Sequence, residues 1–270
     1  MIYFVATPIG NLKDITIRAI ETLQNVDVIA CEDTRNSLKL LNHYNISKKL
    51  IAYHKFNEKS SADGIVNLAK QGKNVAIISD AGMPVISDPG QILVEKLIEN
   101  NIPYTVIPGA SASLSALLLS GMESATFTFV GFLSEQNKIR KQQIENIKNI
   151  SSTLIFYVSP YNVKKDIEFL CENLGDRNAC LVSEITKIHE KVTHFSLANF
   201  CEQNFMGEYV LIVDGAKKMQ IENTNISIED ELKNYIECGI DRSDAIKLVA
   251  KNRKLKKNEV YQIALKLDKN

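Results

Sequence analysis

The sequence predicts an α/β protein with two α/β domains and a small helical extension at its carboxyl end. Short apolar runs alternate with amphipathic segments of helical period through the first 120 residues, which is typical of a largely parallel sheet. The alternation is less regular after a short hinge at 121–124, and polar residues dominate 214–225 before three short helical segments. We therefore expect an amino-terminal domain at 1–120, a second at 125–216 and a helical extension at 226–270.

The strands of the first domain are predicted from continuous apolar runs, which suit strands buried on both faces. Helices are predicted where apolar residues recur at helical spacing, as from Ile15 to Leu23, and Gly72 marks the end of one of them. The expected strands are Ile2–Ala6, Val26–Ala30, Lys49–Tyr53, Val75–Ile78 and Tyr104–Ile107. The expected helices run from about Asp14 or Thr16 to Gln24, Ser37–Tyr44, Ala62–Lys70 and about Gln91–Asn100, and a last apolar helix is opened by the turn 108–113 and runs through Leu119.

The second domain shows the same two periods in a less regular order, which favours a mixed sheet. Its expected strands are Phe127–Phe132, Thr153–Val158, Ala179–Ile185, Lys191–Phe195 and Glu208–Val213. Its expected helices are Asn137–Ile150, Val163–Leu174 and Leu197–Asn204. The extension should hold helices at Ser227–Tyr235, Asp241–Lys251 and Asn258–Leu267, with Gly239 separating the first two.

The composition argues against a strongly basic nucleic-acid-binding protein, a zinc protein and a membrane-spanning protein. The 270 residues carry 32 Lys and Arg against 32 Asp and Glu, so any nucleic-acid contact must come from local clusters. The cysteines form no C-x-x-C pair and predict reduced thiols rather than a zinc site. The chain enters a strand pattern at once, without a basic leader, and its apolar stretches are too short for a membrane span, so we expect a cytoplasmic protein.

Two basic clusters are candidates for nucleic-acid contact. The stronger lies in the extension and the weaker opens the first helix of the second domain; either could equally be a solvated helical face. The stronger consists of Lys247, Lys251, Arg253, Lys254, Lys256 and Lys257, and the weaker of Lys138, Arg140 and Lys141.

Candidate site residues follow the predicted strands of the first domain, where open α/β sheets bind ligands. The loop 79–90 holds Asp80 and Asp88 among two prolines and two glycines, so it is either a stiff ligand-binding loop or a strand-to-helix connector. Charged residues at 32–35 could act as acid or base, or could cap a helix. The small residues at 108–112 would let a ligand approach the backbone at the start of the next helix, or would let that helix pack closely on the sheet. The loop 7–12 has a single glycine and lacks the dinucleotide fingerprint.

Taken in order, these segments resemble the tetrapyrrole methylase superfamily, and within it the branch that methylates a cytidine ribose 2′-hydroxyl in 16S ribosomal RNA. The resemblance extends through the second domain and into the extension. It is carried by Ala6–Leu12, Cys31–Arg35, Tyr53–Glu58, Ser79–Gly82, Ile86–Gly90, Pro108–Ala112, Val130–Leu133, Thr153–Tyr157, Ser183–Lys187, Gly207–Val213 and Val260–Leu265.

The resemblance implies two domains that hold S-adenosylmethionine in a cleft between them, without a metal, and a homodimer that acts on 16S ribosomal RNA or the small ribosomal subunit. The implied cofactor residues are Pro8, Asp80, Ala81, Gly82, Met83, Ser111, Ala112, Leu133, Tyr157 and Val158. Departures from the family pattern are Met83 for threonine, Ser134 for proline, Gln136 for a basic residue, and Val158, Tyr161 and Asn162 for glutamate, histidine and arginine.

Methylation of a hydroxyl needs an aligned acceptor and a proton acceptor. The candidates for base or substrate orientation are Asp14, Glu32 and Asp33, with Arg35 steering phosphate, and the sequence does not choose among the acids. Two other functions remain open: methylation of a porphyrin-like small molecule on the same fold, and RNA or ribosome binding without catalysis.

Overall fold

A computed structural model describes residues 1–55, 57–202, 204–217, 227–237, 240–253 and 255–267. The chain forms two compact units, Met1–Ala216 and Lys217–Asn270. Within the described ranges, no helix combines the length and the hydrophobicity that crossing a lipid bilayer requires.

The first sheet has five parallel strands in the spatial order β3-β2-β4-β1-β5. The strands are β1 Ile2–Val5, β2 Val28–Cys31, β3 Lys49–Ala52, β4 Val75–Ile78 and β5 Tyr104–Ile107. The helices that follow them in turn are α1 Ile17–Asn25, α2 Thr34–His43, α3 Glu58–Lys70, α4 Gln91–Glu99 and α5 Ala112–Ser120.

Both faces of this sheet are covered, because successive side chains of a strand point to opposite sides. Ile2 and Phe4 pack in a buried cluster with α3 and α4. Val5 packs in a second cluster, with α1 and α2, on the other face. Since the strands are parallel, all five of their carboxyl ends, and the loops predicted to bind a ligand, lie along one edge.

The second sheet is mixed, in the order β6-β7-β10-β8-β9. Its strands β6 and β7 are parallel, whereas β10 runs antiparallel to β7 and β8, and β8 runs antiparallel to β9. The elements are β6 Phe127–Phe132, α6 Asn137–Ile147, β7 Thr153–Val158, α7 Val163–Leu174, β8 Asn178–Ser183, β9 Lys191–Ser196 and β10 Tyr209–Val213.

Helix α5 joins the two sheets. It follows β5 of the first sheet, yet Ala116 and Leu117 are buried against the second sheet, in a cluster that includes Val182 and Ile212. Ile9, from the loop after β1, is buried in the same cluster. The loops of the first sheet are therefore held against the second sheet by apolar packing.

The second unit is a three-helix assembly with its own core. Its helices are α8 Ile228–Glu237, α9 Arg242–Asn252 and α10 Lys257–Leu267. Leu232, Val249 and Val260, one from each helix, are buried together. Gly239, Cys238, Lys254 and much of the predicted linker lie outside the described residues.

The predicted fold class is confirmed, and so is the mixed second sheet. The predicted helix Leu197–Asn204 is wrong: its described residues, 197–202 and 204, form no α-helix, and a 3-10 turn lies at Leu197–Asn199. Phe200 instead turns inward, with its ring centroid 4.6 Å from that of Phe195 and 5.9 Å from that of Phe205. Those aromatic contacts fix an irregular path that an α-helix could not follow.

Two predicted helices begin earlier than expected because residues before their apolar stripes belong to the first turn. Helix α2 begins at Thr34 rather than Ser37, since Asp33 caps it by accepting a hydrogen bond from the Arg35 N–H at 2.8 Å. Helix α3 begins at Glu58 rather than Ala62. Polar first turns are invisible to a search for apolar periodicity.

The weaker basic cluster is also corrected. Arg140 is buried, and its guanidinium donates a 2.6 Å hydrogen bond to Asp166 while it lies 4.0 Å above the ring of Phe169. It is therefore part of the α6–α7 packing and not of a basic surface. In the extension, Arg253 donates to Glu231 at 2.6 Å and Lys247 to Asp244 at 2.6 Å, whereas Lys251, Lys256 and Lys257 are exposed.

Candidate functional site

A cavity of about 400 Å³ lies between the carboxyl edge of the first sheet and the second sheet. Most of the predicted cofactor residues line it: Asp80, Ala81, Gly82, Met83, Ser111, Ala112, Tyr157 and Val158. Its size falls in the usual range for small-molecule sites, and its mainly apolar wall with a few polar groups is typical of them. The loops after β4 and β5 thus meet the end of β7 around one space.

The loop after β4 has an unusual backbone. Val85 and Ser87 have φ angles of 75° and 68°, in the left-handed region that side chains, and β-branched ones above all, rarely adopt. Such conformations persist only where the surrounding structure holds them, and they concentrate at functional sites.

Two sets of contacts hold this loop. At its start, Thr7 and Gly82 exchange backbone hydrogen bonds of 2.9 and 3.1 Å, which tie the loop to the end of β1. At its end, Glu58 accepts a 2.8 Å hydrogen bond from the Gly90 N–H. Val85 packs against the buried cluster that α3 and α4 form with the first sheet, and a Cβ on Gly90 would lie 2.4 Å from the Val85 side chain. The sequence feature of two glycines and two prolines is therefore a rigid, anchored turn.

Gly82 is required by both its backbone conformation and the space around it. Its φ is 80°, and an added Cβ would lie 3.2 Å from Ile9 Cγ2, at the wall of the cavity. A residue with a side chain would be strained there and would press on Ile9, which also lines the cavity.

The opposite wall is aromatic. Tyr157 makes edge-to-face contacts with Phe129 and Phe132, with centroids 5.1 and 5.5 Å apart. A β-bulge at Gly131, with φ of 74°, interrupts the pairing of β6 with β7 beside these rings. A Cβ on Gly131 would lie 3.3 Å from Ser87 Oγ, so the bulge allows the second sheet to approach the strained loop.

The floor on the side of β8 and β10 is braced by an ion-pair network. Lys187 contacts Glu184 at 3.0 Å and Glu208 at 3.2 Å, and Glu184 also accepts from the Glu208 N–H at 3.1 Å. Partial burial opposes ionisation of Glu184, but the hydrogen bonds from Lys187 and Glu208 outweigh it and lower the pKa of that carboxyl. Gly207 is required here, since a Cβ would lie 2.0 Å from Glu184 Oε1.

Three carboxyl groups gather at the first sheet's edge. Burial raises the pKa of Asp88 to about 6, and the negative charges of Glu32 and Asp80 add to the effect against a lowering contribution from Ser79. Burial also raises the pKa of Glu32, with Asp80 adding to it. Asp80 itself is exposed and accepts a 3.2 Å hydrogen bond from the Asn36 amide.

The remaining predicted residues do not line the cavity. Pro8 and Leu133 are each replaced in the lining by a sequence neighbour, Ile9 and Phe132. This is a shift of one position at a strand end, where the sequence does not specify which way a side chain points.

The four predicted catalytic residues lie outside the lining as well. Asp14 is exposed in a short 3-10 helix, Asp33 caps α2, and Arg35 has an exposed side chain 4.0 Å from Asp33. Glu32 is half-buried beside Asp80 and Asp88. The interpretation of 32–35 as a helix cap is therefore correct for Asp33.

Sequence analysis missed much of the second sheet's contribution to the lining. The sequence places Asp88 in the acidic loop but does not indicate that it lines the cavity. Several of the other lining residues could have been predicted from their position, because they lie at the ends of predicted strands and the cavity runs along those ends. The missed lining residues are Ile9, Ile86, Ser87, Asp88, Phe132, Ser159, Pro160, Ile185, Gly207, Glu208, Tyr209 and Val210.

No group of three or more His, Cys, Asp or Glu side chains in the described part of the chain is arranged to hold a metal ion. Cys31, Cys171, Cys180 and Cys201 are free thiols. Among the residues that line the cavity, the polar groups available to a ligand are carboxylates, hydroxyls and backbone amides.

Comparisons with known proteins agree with this architecture. The family model described as tetrapyrrole (corrin/porphyrin) methylases matches residues 1–201. Among curated relatives, ribosomal RNA small subunit methyltransferase I of Halalkalibacterium halodurans is 40% identical, with 97% of this chain and 93% of the relative aligned. The protein of the same name from Haemophilus influenzae is 42% identical over 98% of this chain and 96% of the relative.

Solved structures of lower identity share the fold. A diphthine synthase has a TM-score of 0.63 at 16% identity, covering 79% of this chain and 89% of that chain. A uroporphyrin-III-C-methyltransferase from Thermus thermophilus has a TM-score of 0.58 at 17% identity, covering 79% and 93%. At such identities the likeness concerns the fold alone.

Proposed function

The chain belongs to the tetrapyrrole methylase family, and from this premise we propose that it methylates a cytidine ribose 2′-hydroxyl in 16S ribosomal RNA, using S-adenosylmethionine. The observation that carries the proposal is full-length similarity, at 40% identity, to a protein named ribosomal RNA small subunit methyltransferase I. The extension is included in that alignment, so the similarity is not limited to the shared α/β fold.

The cavity fits the proposed methyl donor. The apolar side chains of Ile9, Met83 and Tyr157 suit an adenine ring and the methylene groups beside the sulfur, and the exposed Asp80 carboxylate suits hydroxyl or ammonium groups. Gly82 leaves its backbone open where a Cβ would be only 3.2 Å from Ile9. When bound, S-adenosylmethionine supplies an electrophilic methyl group on a positively charged sulfur.

The protein's own contribution is alignment and proton transfer. An in-line displacement needs the attacking oxygen, the methyl carbon and the sulfur in a row, and orientation of this kind can lower a barrier by about 7–11 kcal/mol. The rigid 79–90 loop, anchored at Thr7 and Glu58, is suited to hold one reactant in a fixed position. A positioned base adds roughly 10²–10⁴-fold.

The RNA must present an unstacked nucleotide, because a paired ribose in a helix cannot enter a cavity. We assign the phosphate contacts to exposed cations: Arg35 in the first turn of α2, at the carboxyl edge of the first sheet, and Lys251, Lys256 and Lys257 on the extension. Asp14 and Asp33 remain candidates for orienting the substrate at the same edge. With a ribosomal substrate, the protein would act in the cytoplasm.

We also propose that the protein is a homodimer. Helix α5 packs one face on the second sheet and leaves Leu114 and Leu118 exposed by 52% and 81% on the other. The edge strand β5 exposes Tyr104 and Val106 as well. A second copy covering these apolar side chains would remove them from water, and light scattering should then report the mass of two chains.

The experiment is methyl transfer from tritiated S-adenosylmethionine to small ribosomal subunits that lack this modification. Label in a cytidine 2′-O-methyl group is the expected result. Label only in an added tetrapyrrole would favour the small-molecule methylase that the family name suggests, and no label would favour a binding protein without catalysis. The Asp80→Ala variant should lose S-adenosylmethionine binding by calorimetry, and undiminished affinity would argue against the assigned cavity.

A further inference from the structure

The position of Asp88 distinguishes it from the other acids near the site. Asp14, Glu32 and Asp33 lie outside the cavity lining, whereas Asp80, Asp88 and Glu208 are part of it. Asp80 is exposed and accepts a hydrogen bond from Asn36, and Glu208 pairs with Lys187 at 3.2 Å, so neither is placed as Asp88 is. Asp88 is half-buried and lies where the two sheets meet, since a Cβ added at the Gly131 bulge would lie only 3.3 Å from Oγ of the neighbouring Ser87, and the Asp88 charge acts on Tyr157 of β7. A carboxylate at this junction can reach a ligand held by either sheet.

The backbone fixes this carboxylate in place. Ser87, immediately before Asp88, is in the left-handed region, as is Val85, whose side chain packs against the buried cluster that α3 and α4 form with the first sheet. Beyond Asp88, the Gly90 N–H is held by Glu58. A proton acceptor must be held within a fraction of an ångström of its working position, and this loop meets that need better than an exposed side chain would.

Acidic and phenolic groups act on Asp88, and two further titratable groups lie close by: His54, whose charge acts on Glu32, and Glu58, which holds the Gly90 N–H. Glu32 follows β2, Asp80 follows β4 and Tyr157 belongs to β7. Burial and the two neighbouring carboxylates disfavour the ionised form of Asp88 and bring its pKa to about 6. A carboxylate in that range is a stronger base than an ordinary aspartate and is still ionised at neutral pH.

We propose that Asp88 is the general base that accepts the ribose 2′-hydroxyl proton during methyl transfer, an inference that rests on the proposed function. The oxygen forms a bond to the methyl carbon as the carbon–sulfur bond breaks. The electron pair of that bond stays on sulfur, which becomes a neutral thioether, and the hydroxyl proton moves to the Asp88 carboxylate. Glu32, outside the cavity lining, is then a positioning residue that sets the basicity of Asp88 by its charge.

The first test is kinetic. For the full-length wild type acting on small subunits, kcat should fall on the acid side with an apparent pKa near 6 and level off above it. Asp88→Asn should lose about 10²–10⁴-fold in kcat and keep its affinity for S-adenosylhomocysteine and for the subunit. Glu99→Gln, which removes an exposed carboxylate at the end of α4, is the matched control and should change none of these values.

The second test asks whether Glu32 acts through charge. Glu32→Gln removes one negative charge near Asp88, so the acid limb of the kcat profile should move to lower pH, whatever its effect on the plateau. A purely structural role for Glu32 would lower the plateau without moving the limb. An unmoved limb would overturn the assignment of Glu32 as the group that tunes Asp88.

The third test needs no turnover. Because the folded-state pKa of Asp88 lies above the ordinary value of 3.8, the stability that its neutral form contributes is complete below about pH 4 and is lost as the pH rises through about 6. Asp88→Asn should therefore melt at a higher temperature than wild type at pH 8 and at the same temperature at pH 4. An equal melting temperature at pH 8 would contradict the environment on which the proposal rests.

The outcomes separate the two levels of the argument. A wild type that methylates RNA, together with an Asp88→Asn variant that keeps more than a tenth of the wild-type kcat, would overturn Asp88 as the base and leave the proposed function standing. A wild type that transfers no methyl group to RNA at any pH would overturn the proposed function, and this inference with it.

Discussion

Replacing Asp166 by alanine tests whether the Arg140–Asp166 pair is part of the core. The two side chains are 4% and 8% exposed and 2.6 Å apart. Removing one partner of such a pair costs about 3–5 kcal/mol, because the other is left charged and buried. Burial already raises the pKa of Asp166 despite Arg140, so the carboxylate is itself poorly solvated, and Arg140 would keep the Lys165 carbonyl at 3.3 Å. We therefore expect the lower end, about 3 kcal/mol.

For a unit of this size, about 3 kcal/mol corresponds to a fall of about 6–12 °C in Tm. The assay is thermal unfolding followed by far-ultraviolet circular dichroism at pH 7.5. The control is Glu168→Ala on the same helix, which removes an exposed pair with Lys164 at 3.8 Å and should change stability by less than about 0.5 kcal/mol. If Asp166→Ala melts within 2 °C of that control (about 1 kcal/mol or less), the reasoning about the buried pair is refuted.

Two further predictions concern the extension and the contact between the sheets. Ending the chain at Ala216 should weaken RNA binding and leave the affinity for S-adenosylmethionine unchanged. The slope of log K for RNA against log salt concentration should fall in magnitude by about one for each lost lysine–phosphate contact. Equal losses of both affinities would contradict this expectation. Gly10→Ala should lower both Tm and the affinity for S-adenosylmethionine, because the new Cβ would lie 2.6 Å from the Ile185 carbonyl oxygen. The control Gly64→Ala in α3, whose new Cβ would have nothing within 4 Å, should stabilise the fold by roughly 0.5–1 kcal/mol. Unchanged unfolding of Gly10→Ala would show that the loop 184–187 yields more easily than its geometry implies.

The periodic features of the sequence were sufficient to predict the elements of both sheets. Runs such as Val75–Ile78 are apolar throughout because both faces of the strand are buried, and that is a local property of the sequence. The edge strand Tyr104–Ile107 is predicted from the same kind of run of strand-forming residues, although Tyr104 and Val106 on one of its faces are exposed.

Long-range contacts account for what was missed. Nothing near Phe200 signals that its ring packs on Phe195 and Phe205 in place of a helix, and nothing near Arg140 signals a buried partner 26 residues away. The position of Asp88 at the cavity depends on the left-handed backbone at Val85 and Ser87, which no propensity predicts for those residues. At the site, strand ends could be predicted, but the direction of each side chain, as for Pro8 against Ile9, could not.

Helix α5 sets a limit on how this protein can be divided. A fragment ending at residue 120 would contain every strand of the first sheet, yet Ala116 and Leu117, which are buried on the second sheet, would be left in water. Such a fragment should aggregate rather than fold. The complementary fragment, which begins after residue 120, would lack the helix that covers one face of the second sheet. We therefore expect the two α/β domains to fold and unfold cooperatively as one unit.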